Sequence, residues 1–253
     1  MRGVVLAAGG GTRLQPLTDD RPKTMLPVAG ERSILELALA NLAANGIDDV
    51  TVVTGHRADV IEQAAPGLEQ RTGVSLRLRY NERFADLNNA YSLWLVADVL
   101  GEGAVVVNGD TVHPPDVERR LLDAPADESL VLALDREKSL AEEEMKVLLD
   151  DDGALSRIHK SLDPHEAAGE YIGVARIGPA AAEGLADALR ATYEADGNRY
   201  YEDGFQEYVD RGNRVATVPI GNVAWVEVDD HADLARAREV TASWDGSGPG
   251  GPQ

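Results

Sequence analysis

The sequence predicts an α/β fold built on a doubly wound sheet, and three observations lead there. Short apolar runs alternate with segments of helical periodicity from the amino terminus to Asp110. A glycine run, Gly9-Gly10-Gly11, follows directly on the first apolar run. A carboxylate, Asp110, follows the wholly apolar run Ala104–Val107 after a single Asn-Gly, at the strand end where α/β proteins bind ligands.

The elements follow in order. Gly3-Val4-Val5-Leu6 reads as a buried first strand. Ser33 to Ala44 is helical, with Ile34, Leu37, Ala38 and Leu42 on one face and Asn45-Gly46 as a stop. Val50–Val53 is the second strand, and a helix spans about Ala58 to Leu68. Val74–Tyr80 alternates as a strand does, and Asn88–Leu100 is a helix with Tyr91, Leu95, Val96 and Val99 inward. Strand-like runs dominate residues 129–177, around Leu130–Leu134, Met145–Leu149 and Tyr171–Ile177. Helices return at Ala180–Glu194 and Tyr201–Arg211, before a last strand near Val223–Val228 and a helix from His231. Residues 1–242 are expected to form a single domain and 243–253, ending GSGPGGPQ, a disordered tail.

Residues 6–23, LAAGGGTRLQPLTDDRPK, carry the densest chemical signal. The glycines let the backbone turn sharply, and successive N–H groups in such a loop suit phosphate oxygens. Arg13 and Lys23 add the positive charge that a triphosphate needs. Pro16, Pro22 and Pro27 keep the stretch extended and fix the order of its cations. It is neither the dinucleotide fingerprint, lacking the third glycine, nor a P-loop, lacking Gly-Lys-Ser/Thr.

The pattern LAAGxGxRLxPxTxxxPK resembles the signature of the nucleotidyltransferases that activate sugar phosphates and related phospho-alcohols. The resemblance implies a Rossmann-like, mostly parallel mixed sheet flanked by helices. It also implies a nucleoside triphosphate held by Leu6, Ala8, Gly9, Gly10, Gly11 and Thr12, with Arg13 and Lys23 on its phosphates as the catalytic cations. Asp110 then matches the family's magnesium-binding aspartate, and oxygen-rich ligation suits Mg²⁺. A second carboxylate is expected late in the domain. Asp229, ending Trp225-Val-Glu-Val-Asp, is preferred over Asp203, although Asp229 also fits a helix N-cap.

The stretch Tyr80–Leu95, YNERFADLNNAYSLWL, lacks the glutamine and Pro-Gly run of the sugar-phosphate members and resembles the bacterial phosphocholine cytidylyltransferases. CTP is therefore the favoured nucleotide, with Asn81, Asn88 and Asn89 assigned to it; one of Asn88 and Asn89 caps the helix and the other contacts ligand. Tyr91, Leu93 and Trp94 are read as core. For the acceptor the resemblance points to Lys146 and Lys160, the latter on its phosphate, and to Glu170 and Tyr171. The cluster Tyr200-Tyr201-Glu202-Asp203 suits an amine by cation–π attraction and charge pairing, with Tyr201 and Asp203 chosen as contacts. His56, His113, His165 and His231 show no metal-ligand spacing and are expected at the surface or as caps.

Composition excludes several classes. Absence of cysteine removes disulfide and thiolate chemistry. A formal charge of −20 argues against nonspecific nucleic-acid binding. No apolar run has the length of a membrane span, and a cytoplasmic monomer or homodimer is expected. The reaction that the resemblance implies is magnesium-dependent transfer of CMP from CTP to a small phosphorylated acceptor such as phosphocholine, with pyrophosphate released. An aminoalkyl phosphonate, cyclitol phosphate or sugar-1-phosphate as acceptor, and a non-catalytic nucleotide sensor, are the alternatives.

Overall fold

In the computed structural model, which describes residues 1–245, strands and helices alternate as the sequence pattern requires. β1 (Arg2–Ala7) leads into the glycine loop, two 3₁₀ turns (Thr12–Leu14 and Lys23–Met25) and a small ribbon of β2 (Pro27–Ala29) and β3 (Arg32–Ser33). α1 (Ile34–Ala44) starts where Ser33 Oγ accepts from the Glu36 N–H at 3.2 Å. Then come β4 (Asp49–Thr54), α2 (Ala58–Thr72), β5 (Ser75–Tyr80), the short helices α3 (Asn89–Trp94) and α4 (Ala97–Leu100), β6 (Ala104–Asn108), β7 (Thr111–Val112) and α5 (Asp116–Asp123). The second half holds β8 (Leu130–Asp135), β9 (Lys146–Leu149), β10 (Leu155–His159), β11 (Gly169–Ile177), α6 (Pro179–Ala195), α7 (Tyr201–Asp210), β12 (Ala216–Pro219), β13 (Val226–Glu227) and α8 (His231–Asp245).

Nine strands share one mixed sheet, with β5, β4, β1 and β6 adjacent and parallel. β11 joins β6 antiparallel and carries β8 on its other edge, with β9 alongside its first residues. Apolar alternation along the central strands explains the layering. Val4 and Val106 face a core completed by α3, α4, α6 and α7, while Val5, Val105 and Val107 face α1, α2 and α5. A third cluster, around Leu14, Leu26, Val226 and Leu234, ties the glycine loop and β13 to α8.

β1 is flanked by β4 on one side and β6 on the other, so the chain reverses its winding there. This reversal opens a crevice at the carboxyl ends of β1 and β6, where the glycine loop and Asp110 lie.

Three expectations change. The helix expected over Asn88–Leu100 breaks at Leu95–Val96, because Arg79 donates to the Leu95 carbonyl (3.2 Å) and the Val99 N–H turns to Val96 instead. The strand expected over Val223–Val228 shrinks to β13, which pairs with β7 outside the main sheet. The tail expected from residue 243 gives its first three residues to α8, and 246–253 lie outside the described residues. α5 and β12 were not anticipated. Among the described residues no helix is long and apolar enough to cross a membrane.

Gly173 sits where the pairing of β11 with β8 shifts register, at φ +79°, and a Cβ there would lie 2.6 Å from Asn108 Nδ2. Gly173→Ala is therefore expected to cost about 2–4 kcal/mol, read as a fall in thermal midpoint. Gly153→Ala, at a similar φ of +75° but facing open space, should cost about 1 kcal/mol. Equal losses at both positions would show that the crowding against Asn108 is unimportant.

Candidate active site

The glycine loop owes its shape to Gly11, at φ +60°, whose missing side chain lets the Lys23 stem pass; a Cβ there would meet Lys23 Cβ at 2.9 Å. Thr18 Oγ1 donates to the Gly11 carbonyl at 2.9 Å. Two histidines hold the loop from opposite sides: His56 Nε2 lies 3.2 Å from the Thr18 carbonyl, and His231 Nε2 lies 3.0 Å from that of Gln15. Within the described residues, the N–H groups of Gly9 through Arg13 have no intramolecular acceptor. Five consecutive free donors next to a crevice form a concavity of a kind that suits phosphate oxygens.

Opposite the loop stand three carboxylates. The ribbon of β7 and β13 pairs Glu227 with Thr111, and the Val228 N–H donates to the Asp110 carbonyl at 2.9 Å. This register brings Asp229 beside Asp110, so that Asp110, Glu227 and Asp229 each offer an oxygen within 4.8 Å of the others. The capping role open to Asp229 falls to Asp230, whose Oδ1 accepts from the N–H groups of Ala232 and Asp233. Lys23 Nζ lies 2.9 Å from both Asp110 Oδ2 and Asp229 Oδ1, and Arg13 lies 2.8 Å from Asp229 Oδ2.

The electrostatics follow from this packing. Burial disfavours the Lys23 ammonium, but Asp110 and Asp229 outweigh it and hold its pKa above the ordinary lysine value. Burial likewise opposes ionisation of Asp229, yet Lys23, then Arg13, keeps its carboxyl below the usual range. Glu227 opens onto the cleft, but the enclosing protein and its two carboxylate neighbours push its carboxyl up to about 8. The donor set fits a hard divalent cation: every donor is oxygen, and Asp110 Oδ1 is buried without a hydrogen-bond partner.

Two hollows meet at this point. One, about 260 Å³, runs over Leu6, Ala8, Gly9, Asn88, Asn89 and Asn108. A larger one, about 530 Å³, is walled by Trp225, Asp135, Lys138 and Glu170. Both are lined by Arg13, Lys160, Glu227 and Asp229. A recess of about 80 Å³ opens beside the first, between Met145, Ile158, Tyr200 and Glu202.

Comparison with known proteins gives a consistent picture. The family model described as Nucleotidyl transferase matches residues 2–145. CMP-5'-(3-aminopropyl)phosphonate synthase of Streptomyces rubellomurinus is 32% identical over 248 residues, covering 94% of this chain and 38% of that protein. Choline-phosphate cytidylyltransferase of Streptococcus pneumoniae is 35% identical over 106 residues, 42% of this chain and 43% of that protein. The chain thus matches less than half the length of either relative. Among solved structures, the inositol-1-phosphate CTP transferase from T. maritima superposes with a TM-score of 0.81 at 22% identity, over 97% of this chain and 96% of that one. That structure and this chain share the fold.

The geometry sorts the expected contacts. Leu6, Ala8, Gly9 and Arg13 line the smaller hollow, with Gly10, Gly11 and Thr12 as the adjoining loop backbone. Asn88 caps α3, accepting from the Asn89 N–H at 2.8 Å, while Asn89 fixes the start of α7 by accepting from the Tyr201 N–H at 2.8 Å. Among the described residues no hydrogen bond engages the Asn89 amide nitrogen, and Asn89 lines the smaller hollow. Asn81 is a correction: wholly buried, it donates to Ser92 Oγ and accepts from the Arg83 N–H behind the hollow. Tyr201 is another, since it is buried with its hydroxyl on Asn108 Oδ1 at 2.9 Å; Tyr171, beside it, does reach the hollow. Asp203 caps α7 through the Tyr200 N–H and stands away from Asp110. It lines the small recess together with its neighbours Tyr200 and Glu202, which alone of the three also reach the smaller hollow. Glu170 faces the larger hollow but is held by Lys138 at 2.8 Å. His113 is buried against Asn41 and Glu118, where a surface or capping position was expected. Glu227 was missed although its signal was present, because in Trp225-Val-Glu-Val-Asp strand alternation puts 225, 227 and 229 on one face.

Lys146 is the plainest correction. It is fully buried, and its ammonium donates to the carbonyls of Ala141, Glu142 and Glu144 at 3.0, 2.8 and 3.2 Å, clasping the loop before β9. Lys146→Met leaves three carbonyls without that donor and should lower stability by about 2–4 kcal/mol in thermal or urea unfolding. Lys160→Ala, at a half-exposed site, should change stability by about 0.5 kcal/mol or less. A silent Lys146→Met would return that lysine to the ligand-binding set.

Proposed function

Because this chain belongs to the nucleotidyl transferase family, we propose that it transfers CMP from CTP to a small phosphorylated or phosphonylated acceptor carrying an amine, releasing pyrophosphate. The observation that carries the proposal is the meeting, at one crevice, of the free loop N–H groups, the cations Arg13 and Lys23, and the carboxylates Asp110, Glu227 and Asp229. CTP is the nucleotide named for the choline-phosphate and inositol-phosphate enzymes whose fold this chain shares.

In this reading the loop N–H groups and Arg13 bind the β- and γ-phosphates, and Lys23 turns to the α-phosphate. Lys160, on the wall of all three spaces, receives the acceptor's phosphate or phosphonate group. An oxygen of that group attacks the α-phosphorus, a new P–O bond forms, and the bond to the β-phosphate bridging oxygen breaks as pyrophosphate departs. The attacking oxygen is already ionised near neutral pH, so no general base is required. Asp110 and Asp229, with Glu227, would hold Mg²⁺, which supplies charge neutralisation at the transferring phosphate. The protein's own contribution is positioning and electrostatic stabilisation.

Glu202 decides among acceptors. It is almost wholly buried, burial pushes its carboxyl up to about 7, and Oε2 has no hydrogen-bond partner. A primary ammonium donates hydrogen bonds to such an oxygen; a trimethylammonium has none to give. The Tyr200 ring closes the recess at the other wall. An aminoalkyl phosphonate or amino-alcohol phosphate therefore fits better than phosphocholine, in keeping with the relative that aligns along 94% of the chain.

A pyrophosphate-release assay across CTP, UTP, GTP and ATP, against 2-aminoethylphosphonate, 3-aminopropylphosphonate, phosphoethanolamine, phosphocholine, inositol phosphate and glucose-1-phosphate, tests this. CTP with a primary-amine acceptor should turn over fastest. Preference for phosphocholine would overturn the Glu202 argument alone, and silence in every well would overturn the proposal. Lys23→Ala and Asp110→Ala should each lower turnover by roughly 10²-fold or more in folded protein.

Glu202 adds a pH signature. Its ionised form, populated above about 7, is the one that pairs with an ammonium, so acceptor KM should fall as pH rises through 7. Glu202→Gln should raise that KM and remove the part of its pH dependence not shared with the acceptor's own ionisation. An unchanged profile in the variant would exclude Glu202 from acceptor binding.

A further inference from the structure

Lys23 is held more firmly than a phosphate-binding lysine needs to be. Its ammonium makes two contacts of 2.9 Å, one to each aspartate, and its side chain is only 12% exposed. The remaining oxygen of Asp229 belongs to Arg13, and the remaining oxygen of Asp110 is buried without a partner. Glu227 stands within the same 4.8 Å cluster. Three carboxylates are thus opposed by two fixed cations, one of them wedged between the two aspartates.

A divalent cation and the Lys23 ammonium draw on the same oxygens. Mg²⁺ binds carboxylate oxygen at about 2.0–2.1 Å, and an ammonium left within hydrogen-bond distance of those oxygens would repel it through a low-dielectric interior. Metal entry therefore displaces Lys23. The displaced ammonium, on a stem fixed against Gly11, has one new source of anionic oxygen within the crevice, a triphosphate on the loop N–H groups.

We propose that Lys23 is a placeholder that couples the two ligands: it occupies the aspartate pair until nucleotide phosphates draw it away, so that the site accepts a divalent cation poorly alone and well together with the triphosphate. The proposal rests on reading Asp110 and Asp229 as a metal site. By linkage, whatever factor nucleotide adds to metal affinity, metal adds to nucleotide affinity. A second effect follows, in that the carboxylates stay paired, and the crevice compensated, between turnovers.

The test is Mn²⁺ binding to the nucleotide-free protein, followed by calorimetry and by water-proton relaxation, in wild type, Lys23→Met and the Lys23→Met/Asp110→Asn double variant. Lys23→Met should bind Mn²⁺ roughly tenfold or more tightly than wild type, and the double variant should lose that gain. Lys23→Met binding no tighter than wild type overturns the placeholder, and the metal reading stands where the double variant binds more weakly than either. Tight Mn²⁺ binding that the double variant keeps overturns the metal reading itself, and the placeholder with it. Should Lys23→Met not fold by circular dichroism, the wild type serves with Mg²⁺, through the ¹⁵N signal of the Lys23 ammonium. Here the salt-bridged signal should persist when Mg²⁺ is added alone and shift when CTP follows; a full shift with Mg²⁺ alone overturns the proposal.

Discussion

Three carboxylates offering oxygens within 4.8 Å of one another, Asp110, Glu227 and Asp229, set the problem that the rest of this edge of the sheet answers. Like charges at that spacing repel unless cations or a metal stand between them. The chain supplies Lys23 and Arg13 from a single loop, and that loop must be rigid enough to deliver both. Thr18 braces it from within by bonding to Gly11, while His56, just after β4, and His231, at the start of α8, each hold one of its carbonyls from outside. The parallel pairing of β1 with β6 then fixes the distance between loop and Asp110. Sheet order, loop conformation and the β7–β13 ribbon serve one electrostatic arrangement.

How much of this could be read from sequence depended on how local each signal was. The glycine loop, its cations and Asp110 are contiguous motifs at strand ends, and periodicity alone places them on one edge. Asp229 was reachable by the same logic, yet the strand expected to carry it does not join the main sheet. Pairing between residues 111–112 and 226–227 is a long-range choice with no local signature. The acceptor side was legible only as a composition of aromatic and acidic residues. Which members face the pocket depends on the rotation of α7, set by Tyr201, Phe205 and Tyr208 packing inward. That rotation turns Tyr201 into core and presents Glu202. Lys146 misled for the opposite reason: a lysine in a strand looks like a ligand for anions until three backbone carbonyls are found around it.

Lys146 and Lys160 show what separates a structural cation from a functional one here. The first is saturated with carbonyl acceptors and closed to solvent, so it has nothing left to offer a phosphate. The second leans over the Tyr200 ring at 5.5 Å, half-exposed, with no salt bridge to a carboxylate among the described residues. The clasp around Lys146 still matters to chemistry, because the loop it organises carries Lys138, Glu144 and Met145 to the walls of the hollows.

Charge placement along that wall also limits what the acceptor can be. Lys160 lines every space the acceptor could occupy, and Glu202 lines the recess beside it. A molecule bearing an anionic group at one end and an ammonium at the other, a short alkyl chain apart, neutralises both. A sugar phosphate satisfies Lys160 but brings no cation to Glu202. The carboxyl, already held near 7 by burial, then remains protonated to avoid standing as an unpaired buried charge. Ionised, it demands a cation. On the proposed function, the recess would select its ligand through the proton it gives up, and a zwitterionic acceptor would make giving it up favourable.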